Sequence, residues 1–539
     1  MNTRDLFKGC VVVLAMAASL AGAAERLGTV SFPVSCAPSV QADVNRGVAL
    51  LHDFWYEESK PQFERILKAD PSCAIAHWGI AMSAFHQIWD RPNDATLAAG
   101  WQEMQAAQAQ PAKTAREREY IAVLSEFFKP GKDGFEPRIN AYAQGMKTLY
   151  AHYPNDVDAG AFYALAVLAA ISPNDTSVTQ QRKAMEVLTP LWRKYPDHPG
   201  LVHYIIHACD TPALAKEGLA AARHYGEIAA SGPHAVHMPG HIFARLGMWR
   251  EDIDSNVASV TASREADARH ESGWMDQFHS DDFLVYAYLQ SGQEAQARAA
   301  VTASDAAISH YEKMPDMTGD SYMVGMFPYY RVKLPIFVAL ETRDWKSAAA
   351  LDVNEASTDT SKLLVLWART IANGHLHQAQ QAHADLEALD AILARMRKSD
   401  RAWEVDTTGV KIGRDVMQGW VAFAEGKADD AARHLRAAAD LQDKVGQGEV
   451  DIPAREMLGD VLLEAGKHAA ALVEYKQALK LSPNRFNALF NAGRAAEGAG
   501  NAAEAHGYYA ALLKSTDNGA HSTRPEIAHA KTFTATASN

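Results

Sequence analysis

A spacing of 34 residues recurs in this sequence, and it restricts the possible folds more than any other feature. Near the C-terminus, the segment REMLGDVLLEAGKHAAALVEYKQALKLSPN (455–484) is followed by the similar segment ALFNAGRAAEGAGNAAEAHGYYAALLK (488–514). Four pairs of residues keep this spacing, namely Gly459 with Gly493, Gly466 with Gly500, Ala471 with Ala505, and Tyr475 with Tyr509. A period of this length is typical of stacked helix-turn-helix units, so the sequence predicts an array of helical hairpins.

The residues at these positions resemble the tetratricopeptide repeat (TPR) family, in which small residues, an aromatic residue and a helix-stopping proline such as Pro483 recur at this spacing. The resemblance implies an all-α fold, a right-handed superhelical solenoid of stacked helix-turn-helix repeats. It is specific at the C-terminal end and looser before it, and it extends over most of residues 45–515. The sequence has no alternating apolar and polar pattern of the β type, which agrees with an all-α fold.

The chain also resembles a family of exported bacterial TPR proteins that has no assigned activity. This resemblance is carried by the segments FPVSCAPSVQADVNRGVALLHDFWYEES, DPSCAIAHWGIAMS, TAREREYIAVLSEFF, HYIIHACD and HAVHMPGHIFARLG. It implies the fold and export, and it adds no reaction.

Five parts are predicted along the chain. They are a signal peptide at 1–23, a degenerate TPR array with a histidine-rich groove at 24–303, an irregular connection with further degenerate helical repeats at 304–444, two well-formed TPR repeats at 445–514, and a disordered tail at 515–539. The tail is predicted to be disordered because its residues are small and polar.

The N-terminal residues predict export. Arg4 and Lys8 precede an apolar run that ends near Leu20, and Ala21-Gly22-Ala23 follows as a cleavage site. We therefore expect a periplasmic or secreted protein. No other stretch is apolar enough to span a membrane, and a net charge of −13 argues against a nucleic-acid partner.

Three cysteines remain once the signal peptide is removed, and an oxidising compartment allows two of them to pair. Cys36 and Cys73 both lie in turn-like sequences near the N-terminus, so we favour a disulfide between them. Cys209 is then a free thiol, and we expect it to be a small buried residue facing away from the histidines.

Two histidine pairs repeat at the period of the array. His203 and His207 are four residues apart, as are His237 and His241, and the second pair follows the first by 34 residues. Residues at i and i+4 share one face of a helix. The same two histidines therefore recur at equivalent points of consecutive repeats.

The first helix of each TPR hairpin lines the concave groove, as the family resemblance implies. The glycines at 240, 247 and 292 set a register for three consecutive first helices. The groove residues predicted in this way are His203, His207 and Asp210, then His234, His237 and His241, then His279, Asp282 and Tyr286. Arg245 lies four residues beyond His241, where it could reach a bound anion, although a surface ion pair is the favoured interpretation.

Neutral imidazole is the commonest metal ligand, and a carboxylate can bind a metal or orient a histidine. We therefore predict a site for one or two transition-metal ions in the groove, built from the six histidines with Asp210 and Asp282. Zinc is the first choice of metal, with copper or iron next. If the site is catalytic, the metal activates water or a small substrate, and Asp210 or Asp282 accepts the proton.

A second hypothesis is a metal-free TPR scaffold whose groove holds a peptide or partner protein, because stacked repeats form extended concave surfaces. On this hypothesis the histidines contact each other, water or the peptide. The sequence lacks the HExxH motif of zinc proteases and the GxSxG motif of serine hydrolases, and it leaves the question of catalysis open.

Overall fold

A computed structural model of the chain shows an array of helices. It describes residues 25–88, 91–110, 112–131, 134–172, 175, 177–314, 322–355, 358–399, 401–446, 448 and 450–536. Every regular element among these residues is helical, as the sequence predicted, and none is a β-strand. The predicted signal peptide lies outside the described residues.

The N-terminal part consists of antiparallel helix pairs, in which each helix packs against the next along the chain. These helices are α1 (Gln41–His52), α2 (Tyr56–Ala69), α3 (Ala74–Ser83), α4 (Asp94–Ala109), α5 (Ala115–Phe128), α6 (Phe135–His152), α7 (Val157–Ala169) and α8 (Thr179–Lys194). Glycines allow the two helices of a pair to approach closely. A Cβ atom at Gly79 would lie 2.4 Å from the ring of Phe63, which requires the absence of a side chain there.

The central part carries the histidines. Its helices are α9 (Pro199–Cys209), α10 (Ala215–Ile228), α11 (Pro233–His237), α12 (Pro239–Leu246), α13 (Trp249–Ala268), α14 (Trp274–Gln290) and α15 (Glu294–Tyr311). A single first helix was expected where α11 and α12 lie. Pro239 divides it because proline has no N–H to donate within the helix. The Ser255 hydroxyl donates to the Val236 carbonyl at 2.6 Å beside this break.

The C-terminal part continues the array. Its helices are α16 (Tyr322–Glu341), α17 (Trp345–Ala349), α18 (Asp359–His375), α19 (Ala379–Met396), α20 (Ala402–Val405), α21 (Thr408–Ala424), α22 (Ala428–Val445), α23 (Ala454–Glu464), α24 (His468–Leu481), α25 (Phe486–Gly498), α26 (Ala502–Ser515) and α27 (Pro525–Thr536). The single-turn 3₁₀ segments are Pro38–Val40, Val353–Glu355 and Asp517–Gly519.

Two sequence predictions about irregular segments were wrong. The irregular connection was expected at the start of the 304–444 part, in residues 304–330, but most of these residues belong to α15 and α16, and residues 315–321 lie outside the described residues. The expected disordered tail contains α27, whose Ile527 and Ala530 are buried, while the Phe533 ring lies 5.1 Å from that of Tyr509. Ile527, Ala530 and Phe533 share one face of α27. This short apolar stripe is enough to pack α27 against α26, although the segment is polar in composition.

Two large hydrophobic clusters form the core, and they meet within α12. Phe243 belongs to the N-terminal cluster and Ala244 to the C-terminal one. The C-terminal repeats also return to this place, because the Trp249 indole donates to the Asn484 carbonyl at 2.8 Å and the Asn484 amide donates to the Gly247 carbonyl at 3.1 Å. The histidine-bearing helices therefore lie where the two halves of the core join. In the described part of the chain, we find no helix with the length and hydropathy of a membrane span.

Candidate metal centre

The predicted histidines come from three neighbouring first helices. His203 and His207 lie on α9, His234 and His237 on α11, His241 on α12, and His279 on α14. A close contact between α12 and α13 brings Asn256 to the histidines. A Cβ atom at Gly240 would lie 2.8 Å from the Asn256 amide nitrogen, so the glycine lets α13 approach the histidine-bearing helices.

Three histidines, which we call cluster A, bring their ring nitrogens together. Its members are His203, His207 and His234, and one nitrogen of each lies within 4.8 Å of the others. The Nε2 atoms of His203 and His207 are 3.0 Å apart. Two ligands of a tetrahedral zinc ion with Zn–N bonds of ~2.0–2.1 Å lie roughly 3.3 Å apart. The spacing in cluster A is therefore close to that of imidazoles around one ion.

Cluster B repeats this arrangement one hairpin later. Its members are His237, His241 and His279, again with one nitrogen of each within 4.8 Å of the others. The Nε2 atoms of His237 and His241 are 2.9 Å apart. Each cluster thus consists of an i, i+4 pair, divided in cluster B by the Pro239 break, together with a third histidine from a later part of the chain.

The outer ring nitrogens of His203 and His234 in cluster A lie against oxygen atoms. His203 Nδ1 donates to the His52 carbonyl at 2.6 Å, which directs its Nε2 lone pair toward His207. His234 Nδ1 lies 3.2 Å from a carboxylate oxygen of Asp276. Oxygen atoms that accept from the outer nitrogen of an imidazole fix the ring orientation and raise its basicity as a metal ligand.

Cluster B has the same kind of outer contacts. His237 Nδ1 donates to the Asn256 side-chain oxygen at 2.7 Å, because the Asn256 amide nitrogen donates to the Asp252 carboxylate. His241 Nδ1 donates to the Asp210 carboxylate at 2.9 Å. With both Nδ1 atoms donating, the Nε2 atoms of His237 and His241 face each other at 2.9 Å, so their lone pairs oppose each other unless a proton or a metal ion lies between them. A cation between these lone pairs removes their repulsion.

Burial keeps the imidazoles in their neutral form. It is the main cause that holds the pKa of five of them well below the usual value, with further lowering by neighbouring histidines. These residues are His203, His207, His234, His237 and His279. Neutral imidazole is the form that binds a metal ion.

The pKa values of the two aspartates beside the clusters are shifted in opposite directions. Burial raises the pKa of Asp276 to about 7. Burial alone would also raise the pKa of Asp210, but the Arg245 guanidinium and the His241 ring hold it below the usual value. Arg245 Nε donates to Asp210 at 2.9 Å, so Arg245 forms an ion pair as favoured from the sequence, although this pair is largely buried and does not lie on the surface.

Three predicted groove residues play other roles. Asp282, predicted as a ligand, belongs to neither cluster and forms an ion pair with Lys333. Asp210, also predicted as a ligand, accepts from His241 from outside the cluster. Tyr286 is buried, its hydroxyl accepts from Arg485 and donates to the Asp451 carbonyl, and it does not line the histidine site.

The sequence analysis missed Asp276, Asn256 and the aromatic rings around the clusters. Asp276 lies three residues before His279 on α14, just as Asp282 lies three residues after it. The same helical spacing, applied toward the N-terminus, would therefore have identified Asp276. Asn256 lies on α13, a second helix, and a register confined to first helices cannot find it. Phe54 and Phe283 pack against clusters A and B respectively.

A third buried group lies behind cluster A. His52 Nε2 and His198 Nε2 lie 3.0 Å and 3.2 Å from the same Asp158 oxygen. His52 Nδ1 lies 2.9 Å from the Tyr204 hydroxyl, and burial lowers the pKa of His52 to about 4. Because the His52 carbonyl accepts from His203, this group supports cluster A through the end of α1.

The cysteines lie away from the clusters. Cys36 and Cys73 are joined by a disulfide with a Cα–Cα distance of 4.9 Å, which ties the segment before α1 to the start of α3. Cys209 is a buried free thiol on α9, and its Sγ contacts the Met185 sulfur at 3.8 Å.

Comparison with known protein families and structures finds two repeat matches. A family model described as "TPR repeat" matches residues 459–500, and one described as "Tetratricopeptide repeat" matches residues 56–112. No curated protein matches the chain. Among solved structures, the chain is similar to the human IFIT1 dimer with m7Gppp-AAAA, at 10% identity and a TM-score of 0.39 over 82% of this chain and 90% of that one. The TPR domain of P58(IPK) is similar at 11% identity and a TM-score of 0.22 over 93% and 99%.

Proposed function

Since the chain is a tetratricopeptide-repeat protein and an all-α solenoid, we propose that its first helices in the central part form a metal-binding site. On this proposal the protein is an exported TPR protein that binds one transition-metal ion in cluster A and one in cluster B. TPR arrays are scaffolds suited to protein partners, and the proposed site would lie within such a scaffold.

One observation carries the proposal. The Nε2 atoms of His237 and His241 lie 2.9 Å apart while both Nδ1 atoms donate to oxygen acceptors. Facing lone pairs of neutral rings are unfavourable unless a cation lies between them. A proton on one ring would also serve, but the third imidazole in each cluster and the 3.0 Å distance between the Nε2 atoms of His203 and His207 in cluster A favour metal ions.

The donor set restricts the metal. Within the described residues, each cluster is a set of three imidazoles with no carboxylate among the grouped ligands. Imidazole suits zinc, copper, iron and nickel, whereas magnesium, calcium and manganese prefer oxygen ligands. Three protein ligands also leave a coordination position open, as in zinc sites that bind water or substrate.

Export is part of the same proposal, and two observations support it. The N-terminal sequence has the pattern of a secretory signal. A disulfide between Cys36 and Cys73 is also stable in an oxidising compartment. Fractionation of cells that express the chain tests this part, and recovery of the full-length chain in the cytoplasm would contradict it.

Elemental analysis of the protein, purified without a histidine tag, tests metal binding directly. We expect transition metal at up to two ions per chain. A double variant, His203→Ala/His237→Ala, removes one ligand from each cluster and should lose most of this metal. The matched control is His310→Ala/His521→Ala, which removes two exposed histidines outside the clusters. Unchanged metal content in the first variant would rule out the proposal.

The second candidate function is a metal-free scaffold that holds a peptide. A cavity of about 440 Å³ favours it, because this cavity combines apolar residues such as Phe337 and Trp367 with the charged Lys333 and Asp451. A scaffold of this kind predicts a melting temperature that chelators do not change. Metal-free protein that retains a co-purifying peptide would support this candidate over the first.

A further inference from the structure

We propose that clusters A and B form one coupled two-copper centre whose ligand is dioxygen, bound between the two ions. This inference rests on the proposed function, because it names the metal and the small molecule for the sites proposed there. Three features support it: the closeness of the clusters, the charge of their donors and the aromatic rings that surround them.

The two clusters adjoin each other. The ring centres of His207 in cluster A and His241 in cluster B are 6.5 Å apart, and those of His234 and His237 are 6.1 Å apart. Within cluster A, the ring centres of His207 and His234 are 6.3 Å apart. The distances between rings of different clusters are thus similar to the largest distance inside one cluster. Two ions held this closely, each with an open position, can share one small ligand.

The charge of the donors favours copper over zinc. Three neutral imidazoles do not neutralise the ion that they bind, and most members of both clusters are buried. Uncompensated charge in a buried site is costly. Two cuprous ions bring half the positive charge of two zinc ions, and copper binds strongly to imidazole. Asp210 accepts from the outer nitrogen of His241, and Asp276 lies beside the outer nitrogen of His234. Neither carboxylate belongs to the three ligands of a cluster.

Aromatic rings surround the pair of clusters. Phe54 stacks on His234 at 5.6 Å and meets His203 edge-on at 4.4 Å. Phe283 lies 4.7 Å from the ring of His241. Phe54 has a φ of 57°, a left-handed conformation that is unfavourable for a bulky residue. Its ring is therefore held over cluster A at a cost in backbone energy, and the apolar faces of Phe54 and Phe283 favour a neutral diatomic ligand on the side of the clusters that they cover.

The proposed binding step balances. Each of two Cu(I) ions gives one electron to dioxygen, and the product is a peroxide dianion between two Cu(II) ions. No proton and no further reductant take part. Dissociation of dioxygen returns both electrons to the metals.

Anaerobic loading of the full chain with Cu(I), followed by exposure to oxygen, tests the inference. We expect two copper ions per chain. Oxygen should then produce an intense near-ultraviolet absorption band, together with no paramagnetic resonance signal, because two Cu(II) ions that share a bridging ligand couple their spins. Removal of oxygen should reverse the band.

Single-cluster variants provide the control. His234→Ala and His279→Ala should each bind one copper ion and show, after oxidation, the resonance signal of one isolated Cu(II) without the absorption band. If either alanine variant fails to fold, as judged by its helical circular dichroism, the corresponding His→Gln variant replaces it. Clusters A and B bring their own ligands, so each variant should retain the ion of the other cluster.

The outcomes separate the two proposals. A wild-type chain that binds no copper, zinc or other transition metal contradicts the proposed function and the inference together. A chain that binds two copper ions but shows two isolated Cu(II) signals after oxidation retains the proposed function and overturns the inference. A chain that binds two zinc ions and excludes copper does the same.

Discussion

The C-terminal repeats and the histidine region place different chemistry at equivalent helix positions. The corresponding residues are Gly459 and Gly240, Glu456 and His237, and Asp460 and His241. In the C-terminal repeats each carboxylate has a cationic partner. Arg485 donates to Glu456 at 2.7 Å, and Arg343 donates to Asp460 at 3.0 Å. The negative charges are therefore neutralised within the chain.

The histidine region differs, because the residues at the same positions are imidazoles that bond to Asn256 and Asp210 through Nδ1 and face other imidazoles through Nε2. The neighbouring helices α9 and α14 supply further imidazoles. Each repeat thus provides two inward-facing positions four residues apart. The residues on the adjacent helices determine whether these positions form ion pairs or a cluster of imidazoles. Arginine neighbours produce a structural ion-pair network, whereas histidine neighbours produce a set of converging lone pairs that a cation stabilises.

Removal of metal should have the largest effect, and it should act on the histidine region alone. An ion present at 100 times its dissociation constant stabilises the folded chain by about 2.7 kcal/mol, so two such ions contribute about 5 kcal/mol. We expect a chelator to lower the melting temperature of the wild-type chain in differential scanning calorimetry. The His203→Ala/His237→Ala variant should not respond. An equal response of both proteins would break the comparison.

Loss of a partner in the C-terminal network should have the next largest effect. The substitution Arg485→Met leaves Glu341 and Glu456 buried without their cation, which should cost about 3–5 kcal/mol in the free energy of unfolding. Urea denaturation measures this cost. The control Arg433→Met removes an exposed arginine that pairs with Asp430 and should change stability by less than about 1 kcal/mol. Metal content should stay the same in both variants, and a loss of metal in Arg485→Met would contradict the separation of the two regions.

A change outside the ligands should have the smallest effect. Asp210→Asn keeps an oxygen near His241 Nδ1 but removes its negative charge. Changes of this kind typically weaken metal binding about 10–100-fold. Competition with a metal-sensitive dye gives the affinity. Asp197→Asn is the matched control, because Asp197 bonds to His224, which belongs to neither cluster. Equal affinities of the two variants would show that Asp210 does not tune the site.

The fold was largely predictable because its information is local. The spacing of Gly459 and Gly493 indicates two consecutive helical hairpins, and this inference needs no information about contacts between distant parts of the chain. Prediction failed where a short apolar stripe decided the structure. The segment that contains α27 is polar in composition, and the contact between Phe533 and Tyr509 depends on a surface that exists only after α26 has packed.

The candidate site was predictable in part for the same reason. The i, i+4 pairs and the 34-residue period brought His203, His207, His237 and His241 together. The register weakened at α14, because Gly247 and Gly292 are 45 residues apart instead of 34, and Asp282 was assigned a role as a ligand although it pairs with Lys333. The acceptors at Asn256 and at the His52 carbonyl depend on how α13 and α1 pack, which no spacing within the first helices specifies.

The bond between the Trp249 indole and the Asn484 carbonyl joins residues 235 positions apart. A chain that emerges from its N-terminus exposes all six imidazoles long before this partner exists. Contacts between such distant residues form late because the intervening loop must first be ordered. A metal ion that binds early would therefore bind to a partly folded chain in which the C-terminal hairpins have not yet packed. The order in which the chain is synthesised would then influence how the site acquires its metal.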